Sequence, residues 1–226
     1  WNLEKFIVYL EDKMNFDSTK LLRLANDKQF LNKNGINASS LEGYLYPDTY
    51  FFFKGETEEA LLTHLIKEYK SFWSQSFKNR ANKLGFSEHE ILTLASIIEG
   101  EAIYDNERPK ISAVYHNRLN IGMKLQADPT IQYIIDDGPR RLLNRDLRIK
   151  SPYNTYLNKG LPPGPINSPG RKSILAALYP EENDFLFFVA KGDGYHTFST
   201  NKRDHDKAKR KFQKIRRKIK RESRKK

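Results

Sequence analysis

The run LASIIEGEA, residues 94–102, puts a carboxyl group at the end of an apolar stretch with helical spacing. Its Glu99 follows Ser96, Ala95 and Leu92 by three, four and seven residues, so these small or apolar side chains share its helix face. A carboxyl on such a face loses water, which disfavours its charged form and raises its pKa. Kept partly protonated near neutral pH, it can serve as a general acid. The same spacing also fits a helix that simply ends, with Glu99 turned to water beside Gly100.

Two further clusters could hold a polar ligand. The segment KSPYNTYLNKGLPPGPINSPG, residues 150–170, is long for a connector, and Pro162, Pro163, Pro165 and Pro169 stiffen it. Tyr153 and Tyr156 offer flat faces and hydroxyls, and Asn154 and Thr155 offer donors and acceptors. That mix suits a sugar carrying amide groups. Gln126, Asp128 and Thr130 form a second polar group at a helix start. Capping and turn chemistry explains both clusters equally well. The histidines at 64, 89, 116, 196 and 205 lack the H-E-x-x-H spacing of a zinc helix, and no phosphate-binding glycine loop occurs. No metal and no cofactor are expected.

The elements that must position these groups are mostly helical. The spacing predicts short helices over 2–13, 18–25 and 27–33, and one long helix over 57–84 closed by Gly85. Ser87 and Glu90 form a capping box ahead of the Glu99 helix. Arg108-Pro109 opens another helix, with Arg118 on its later turns and Gly122 at its end. Asp128, read as a cap, and Pro129 open a further helix through Ile135. Ser168-Pro169 opens one ending near Tyr179-Pro180. Residues 185–190 and 195–200 flank Gly-Asp-Gly and read as a β-hairpin. The fold class expected is α+β: mainly helical with one small antiparallel hairpin.

The 226 residues carry a net charge of +12, but the average misleads. Residues 202–226 hold 15 Lys and Arg against Asp204, Asp206 and Glu222, which accounts for the whole excess. The remainder is balanced and lacks an aromatic-basic recognition motif, which argues against a specific nucleic-acid partner. The tail reads as a basic helix with Phe212, Ile215 and Ile219 as a thin apolar stripe. It is a solvated helix or a contact for anionic lipid or wall polymer. There are no cysteines, and no apolar run reaches the 18 residues of a membrane span. A start at Trp1 rather than Met suggests a piece of a longer protein.

Five strings occur in order: LEGYLYPDTY, LASIIEGEA, NRLNIGMKLQADPTIQY, SPYNTYLNKGLPPGPI-SPG and FFVAKGDGYHTFST. In that order and spacing the chain resembles the endolytic murein transglycosylase (YceG-like) family over roughly residues 41–201. The resemblance implies a YceG-like catalytic domain over 41–201. It makes residues 1–40 the segment after a truncated LysM-like part, with 202–226 as a basic appendage. Glu99 falls on the family's catalytic glutamate, and Glu101 on a second acidic position. Gln126, Asp128 and Thr130 match its Q-x-D-P-T string, and Tyr153, Asn154, Thr155 and Tyr156 its YNTY string. These residues, with Arg118, are the expected substrate contacts. His196 of the hairpin either lines the cleft or has a structural part. Gly100 departs from the family pattern, which often has Lys or another residue there, a departure expected to matter little.

The implied reaction cuts the β-1,4 bond between N-acetylmuramic acid and N-acetylglucosamine within a glycan strand, leaving a 1,6-anhydro end. Hydrolysing glycosidases use two carboxyls about 5–9.5 Å apart. Glu99 and Glu101, two apart on a helix, do not face each other and make a poor pair. A lyase-type reaction needs one. Alternatives are a muramidase using Glu99 and Asp128, or a glycan-binding scaffold without turnover. The resemblance further implies an envelope enzyme, anchored in the cytoplasmic membrane and working beside peptidoglycan synthases (penicillin-binding proteins).

Overall fold

The chain, seen as a computed structural model, is described over residues 1–53 and 55–222, with side chains as far as residue 217. Helices α1 (Leu3–Met14), α2 (Ser18–Ala25) and α3 (Lys28–Lys33) come first. Then follow α4 (Glu58–Phe72), α5 (Gln75–Lys83), α6 (Glu88–Glu101), α7 (Arg108–Asn120), α8 (Asp128–Ile134) and α9 (Arg171–Leu178). The hairpin strands β1 (Phe187–Ala190) and β2 (His196–Ser199) precede α10 (Lys202–Glu222). The strands are antiparallel, with Phe188 opposite Phe198 and Ala190 opposite His196. No helix among the described residues is long and apolar enough to cross a membrane.

Local sequence explains most helix starts. Asn2, Asp17, Asp27, Thr57, Ser74 and Ser87 each accept a first-turn backbone N–H, which satisfies a donor the helix itself cannot. At Ser87 the reciprocal bond from Glu90 completes the capping box. The helix expected over 57–84 is two helices. Ser74 caps α5 through Phe77 N, and the chain bends after Trp73, whose ring packs across Tyr69 and Phe72.

The core centres on α6. Ile91, Leu92, Leu94, Ala95, Ile97 and Ile98 are all fully buried, so the helix is apolar all round. Residues 1–40 share this core through Leu3, Ile7, Leu10, Leu21, Phe30 and Leu31. The aromatic segment and the proline-rich loop close over α6. His89 holds the Tyr44 hydroxyl at 2.7 Å and the Pro163 carbonyl at 2.9 Å. Two turns later Ser96 Oγ accepts Ile166 N at 3.0 Å. Gly43, at φ +85°, lets the two segments touch, because a Cβ there would stand 2.4 Å from Pro165 Cβ.

The hairpin is tied to the start of α7 by a buried pair of hydrogen bonds. Glu107 accepts His196 N at 3.0 Å and His196 Nδ1 at 2.8 Å, so His196 has the structural part. Helix α10 lies along the hairpin, with Phe212 and Ile215 against Gly192 and His205 stacked on Phe187. Ile219 and residues 223–226 of the expected tail helix fall outside the described side chains and residues respectively.

Candidate active site

Glu99 sits where three helices converge: the end of α6 and the starts of α7 and α9. Its Oε2 accepts three hydrogen bonds, from Ser173 Oγ at 2.7 Å, Gly170 N at 3.1 Å and Arg108 Nη1 at 3.1 Å. Oε1 has one long contact, 3.4 Å from Arg108 Nη2. The side chain keeps 31 % of its surface exposed. Gly170 caps α9, so its amide belongs to the free donors at the positive end of that helix and suits a carboxylate. Arg108 is buried and also binds Asp105 at 3.0 Å and Ser173. Glu99 is therefore a clamped, ion-paired carboxyl with one open oxygen. This corrects the expectation of a carboxyl on a dry apolar face.

The environment expected for Glu99 belongs to Glu101. Burial pushes its carboxyl from the ordinary 4.5 up to about 7, and the nearby Asp128 carboxylate pushes the same way. Hydrogen bonds from Tyr115 Oη (3.0 Å) and the Asp128 backbone, with the charge of Arg118, oppose the shift. Burial and the Glu101 charge in turn hold the Tyr115 hydroxyl well above its usual range. Glu101, Asp128, Pro129, Tyr133 and Asn167 line a groove of about 420 Å³. A larger concavity, about 1040 Å³, lies between the hairpin and α10. Neither concavity is lined by Glu99, but the groove lies on the same helix end, lined by Gly100 and Glu101, and is the nearer candidate.

Gly100 joins the two glutamates and carries a steric constraint. A Cβ there would lie 2.6 Å from Pro129 Cβ, closer than van der Waals contact allows. The absence of a side chain lets α6 end directly on α8. Gly100, expected to matter little, therefore sets how closely the helices approach.

The two polar strings predicted as substrate contacts meet each other. Gln126 N donates to Thr155 O at 3.1 Å, and Thr130 and Thr155 hydroxyls are 2.9 Å apart. Asp128 does not cap α8. Ala127 holds that position, and the Asp128 carboxylate accepts the Tyr156 hydroxyl instead. Asn154 is fully buried: its amide donates to Leu147 O and Ile149 O, and its Oδ1 accepts Tyr156 N. Arg118 is buried too, donating to Leu186 O at 2.7 Å and to Leu125 O. Arg118, Thr130, Asn154 and Thr155 thus spend their polar groups inside the protein and offer no surface to a sugar. Gln126 and Asp128 are exposed, and Tyr153 and Tyr156 are half-buried, Tyr153 with its ring 5.0 Å from Tyr133.

Arg108, Gly170 and Ser173, the partners of Glu99, were not among the expected site residues. One signal was present for Arg108. A cation at a helix start opposes the helix dipole and calls for a compensating carboxylate. Gly170 and Ser173 lie 71 and 74 residues from Glu99 and carry no comparable mark.

These features define a mainly helical α+β domain built around one clamped glutamate on its central helix. The chain belongs to the YceG-like family, whose model matches residues 1–211. An endolytic murein transglycosylase of Bacillus subtilis is 36% identical over 225 residues, covering 93% of this chain and 62% of its own length. One from Streptococcus pneumoniae is 35% identical over 173 residues, covering 74% of this chain and 31% of its own. The chain thus spans less than two thirds of these relatives. A crystallographic yceG-like protein from Listeria monocytogenes superposes with a TM-score of 0.83 at 33% identity, covering 92% of this chain and 72% of that one.

Proposed function

We propose that the chain is the catalytic part of an endolytic murein lytic transglycosylase. It cuts the bond between N-acetylmuramic acid and N-acetylglucosamine inside glycan strands and leaves 1,6-anhydro ends. The observation that carries this reading is the unequal dressing of the Glu99 carboxyl: three donors on Oε2 and one long contact on Oε1. Oε1 has room for the substrate. Protonated there, Glu99 gives its proton to the glycosidic oxygen as the C1–O4 bond breaks. Arg108, Ser173 and Gly170 hold the carboxylate that results. That carboxylate then takes the proton of the muramyl C6 hydroxyl as O6 bonds to C1, with the N-acetyl oxygen assisting at C1. One proton leaves Glu99 and one returns, and no water is consumed.

The Asp128 carboxylate, committed to Tyr156 beside Glu101, favours this route over a two-carboxylate muramidase. The curated relatives' names agree with it. The reading carries with it an envelope enzyme tethered at the cytoplasmic membrane beside peptidoglycan synthases. In it, α10 makes a salt-sensitive contact with anionic headgroups or wall polymer. Digestion of purified sacculi with mass spectrometry of the products is the test. Wild type yields anhydro ends, and Glu99→Gln lowers their rate about 10³-fold, the scale of losing a transition-state proton donor and its charge. Ordinary reducing ends, or equal turnover by the variant, would overturn the assignment.

A further inference from the structure

Residues 50–53 alternate in burial. Tyr50 and Phe52 pack on the core and set their rings edge-on to His64 of α4, at 6.3 and 5.6 Å. Phe51 and Phe53 are 90 % and 85 % exposed. This is the two-residue period of an extended chain, with both outer positions given to phenylalanine. Two large apolar rings held in water beside each other mark a contact surface. The inner pair is anchored, since Tyr50 Oη donates to Tyr46 O at 2.9 Å, so the outer pair stands on a fixed base.

The root of this segment is the Glu99 socket. Pro47 lies within 4.0 Å of the position a Cβ on Gly170 would take, and Gly170 donates to Glu99. Asp48 pairs with Arg171, the first residue of α9, at 3.5 Å. Phe51 is four residues beyond Pro47, at most about 14 Å of chain. A cut inside a polymer requires sugars bound on both sides of the broken bond, and a strand seated at Glu99 reaches that far.

We propose that Phe51 and Phe53 form an aromatic platform for the glycan strand, stacking on the apolar C–H faces of sugar rings away from the cleavage point. The proposal rests on the reading of the site as a glycan-cleaving one. The occupant is a sugar rather than a lipid surface on charge grounds. Residues 48–59 hold four acids and one lysine, so the segment that carries the rings is net negative and disfavours anionic headgroups.

The test separates binding from turnover by working in the Glu99→Gln background. Co-sedimentation with purified sacculi is compared for that variant and for the same protein with Phe51→Ala and Phe53→Ala. The platform predicts at least fivefold weaker retention, with an unchanged melting temperature because both side chains are exposed. Equal retention overturns it, as does a failure of Glu99→Gln itself to sediment. Loss of retention confined to vesicles of anionic phospholipid, with sacculus binding intact, also overturns it and makes the patch a membrane element. Anhydro ends from wild type with retention indifferent to the phenylalanines would sink the platform and leave the activity standing. Phe-dependent retention without anhydro ends would do the converse.

Discussion

Glu99 and Glu101 stand two residues apart on the last turn of α6, about 200° around the helix from each other. Glu99 faces the Arg108 guanidinium of α7 and, at the start of α9, the Gly170 amide and the Ser173 hydroxyl, and one of its oxygens remains open. Loss of water and the neighbouring Asp128 carboxylate push the Glu101 pKa to about 7, against the hydrogen bond it accepts from the Tyr115 hydroxyl. One helix thus presents two carboxyls in unlike surroundings, set by what packs against each side. A charge-paired group with an open oxygen is built to exchange a proton with a ligand. A half-buried, poorly hydrated acid near neutrality is built to hold one.

Removing the cation from the Glu99 side should have the largest effect. Arg108→Ala leaves Glu99 without its guanidinium in a partly buried site, while the exposed Asp105 keeps Lys172. We expect a loss of about 3 kcal/mol in stability, the scale of breaking a buried pair. The release of anhydro products should fall about 10²-fold. Urea melts and sacculus digestion read the two effects separately. A variant that keeps full turnover would mean that the clamp on Glu99 is structural only.

On the Glu101 side the contrast predicts a pH dependence. Folding favours the protonated acid, so its contribution is whole below pH 4.5 and is lost as the pH rises through about 7. Glu101→Gln stays neutral throughout. Relative to it, wild type should lose up to about 3 kcal/mol between pH 4.5 and pH 8. Glu42, raised to about 7 by burial under the α1 start, is common to both proteins and cancels. Parallel stability curves for the two proteins would show that the carboxyl is not buried as described.

The smallest expected effect tests the hinge between the two sides. Gly100→Ala must push Pro129 away from α6, at about 1–2 kcal/mol for overpacking. The groove lined by Glu101 and Asp128 should deform more than the Glu99 socket, so KM should rise while kcat changes little. A fall in kcat with unchanged KM would place the strain on the wrong glutamate.

Much of this arrangement was legible from local spacing. The capping residues, the hairpin and the apolar α6 follow from short-range preferences of backbone and side chain. Ser74, a cap followed by a second amphipathic run, marked the break in the 57–84 stretch. The apolar residues on both sides of that break outweighed it. The Glu99 socket was less legible, because its donors come from nine to 74 residues away and spacing along one helix cannot report what docks on it. Asn154, Thr155, Thr130 and Arg118 illustrate the same limit. Their polar types suggested ligand contacts, yet the fold uses them to join loops and hairpin.

The distant origin of the donors has a kinetic consequence. The Gly170 and Ser173 bonds close loops of 71 and 74 residues, among the least local contacts of the site. Such contacts carry a high loop-closure cost and form late, after nearby helices have found each other. A folding intermediate with α6 and α7 paired and α9 still undocked would show nearly full helical signal and hold Glu99 without two of its three Oε2 donors. The Glu99 socket would then lag behind secondary structure during refolding and be finished only once α9 has docked.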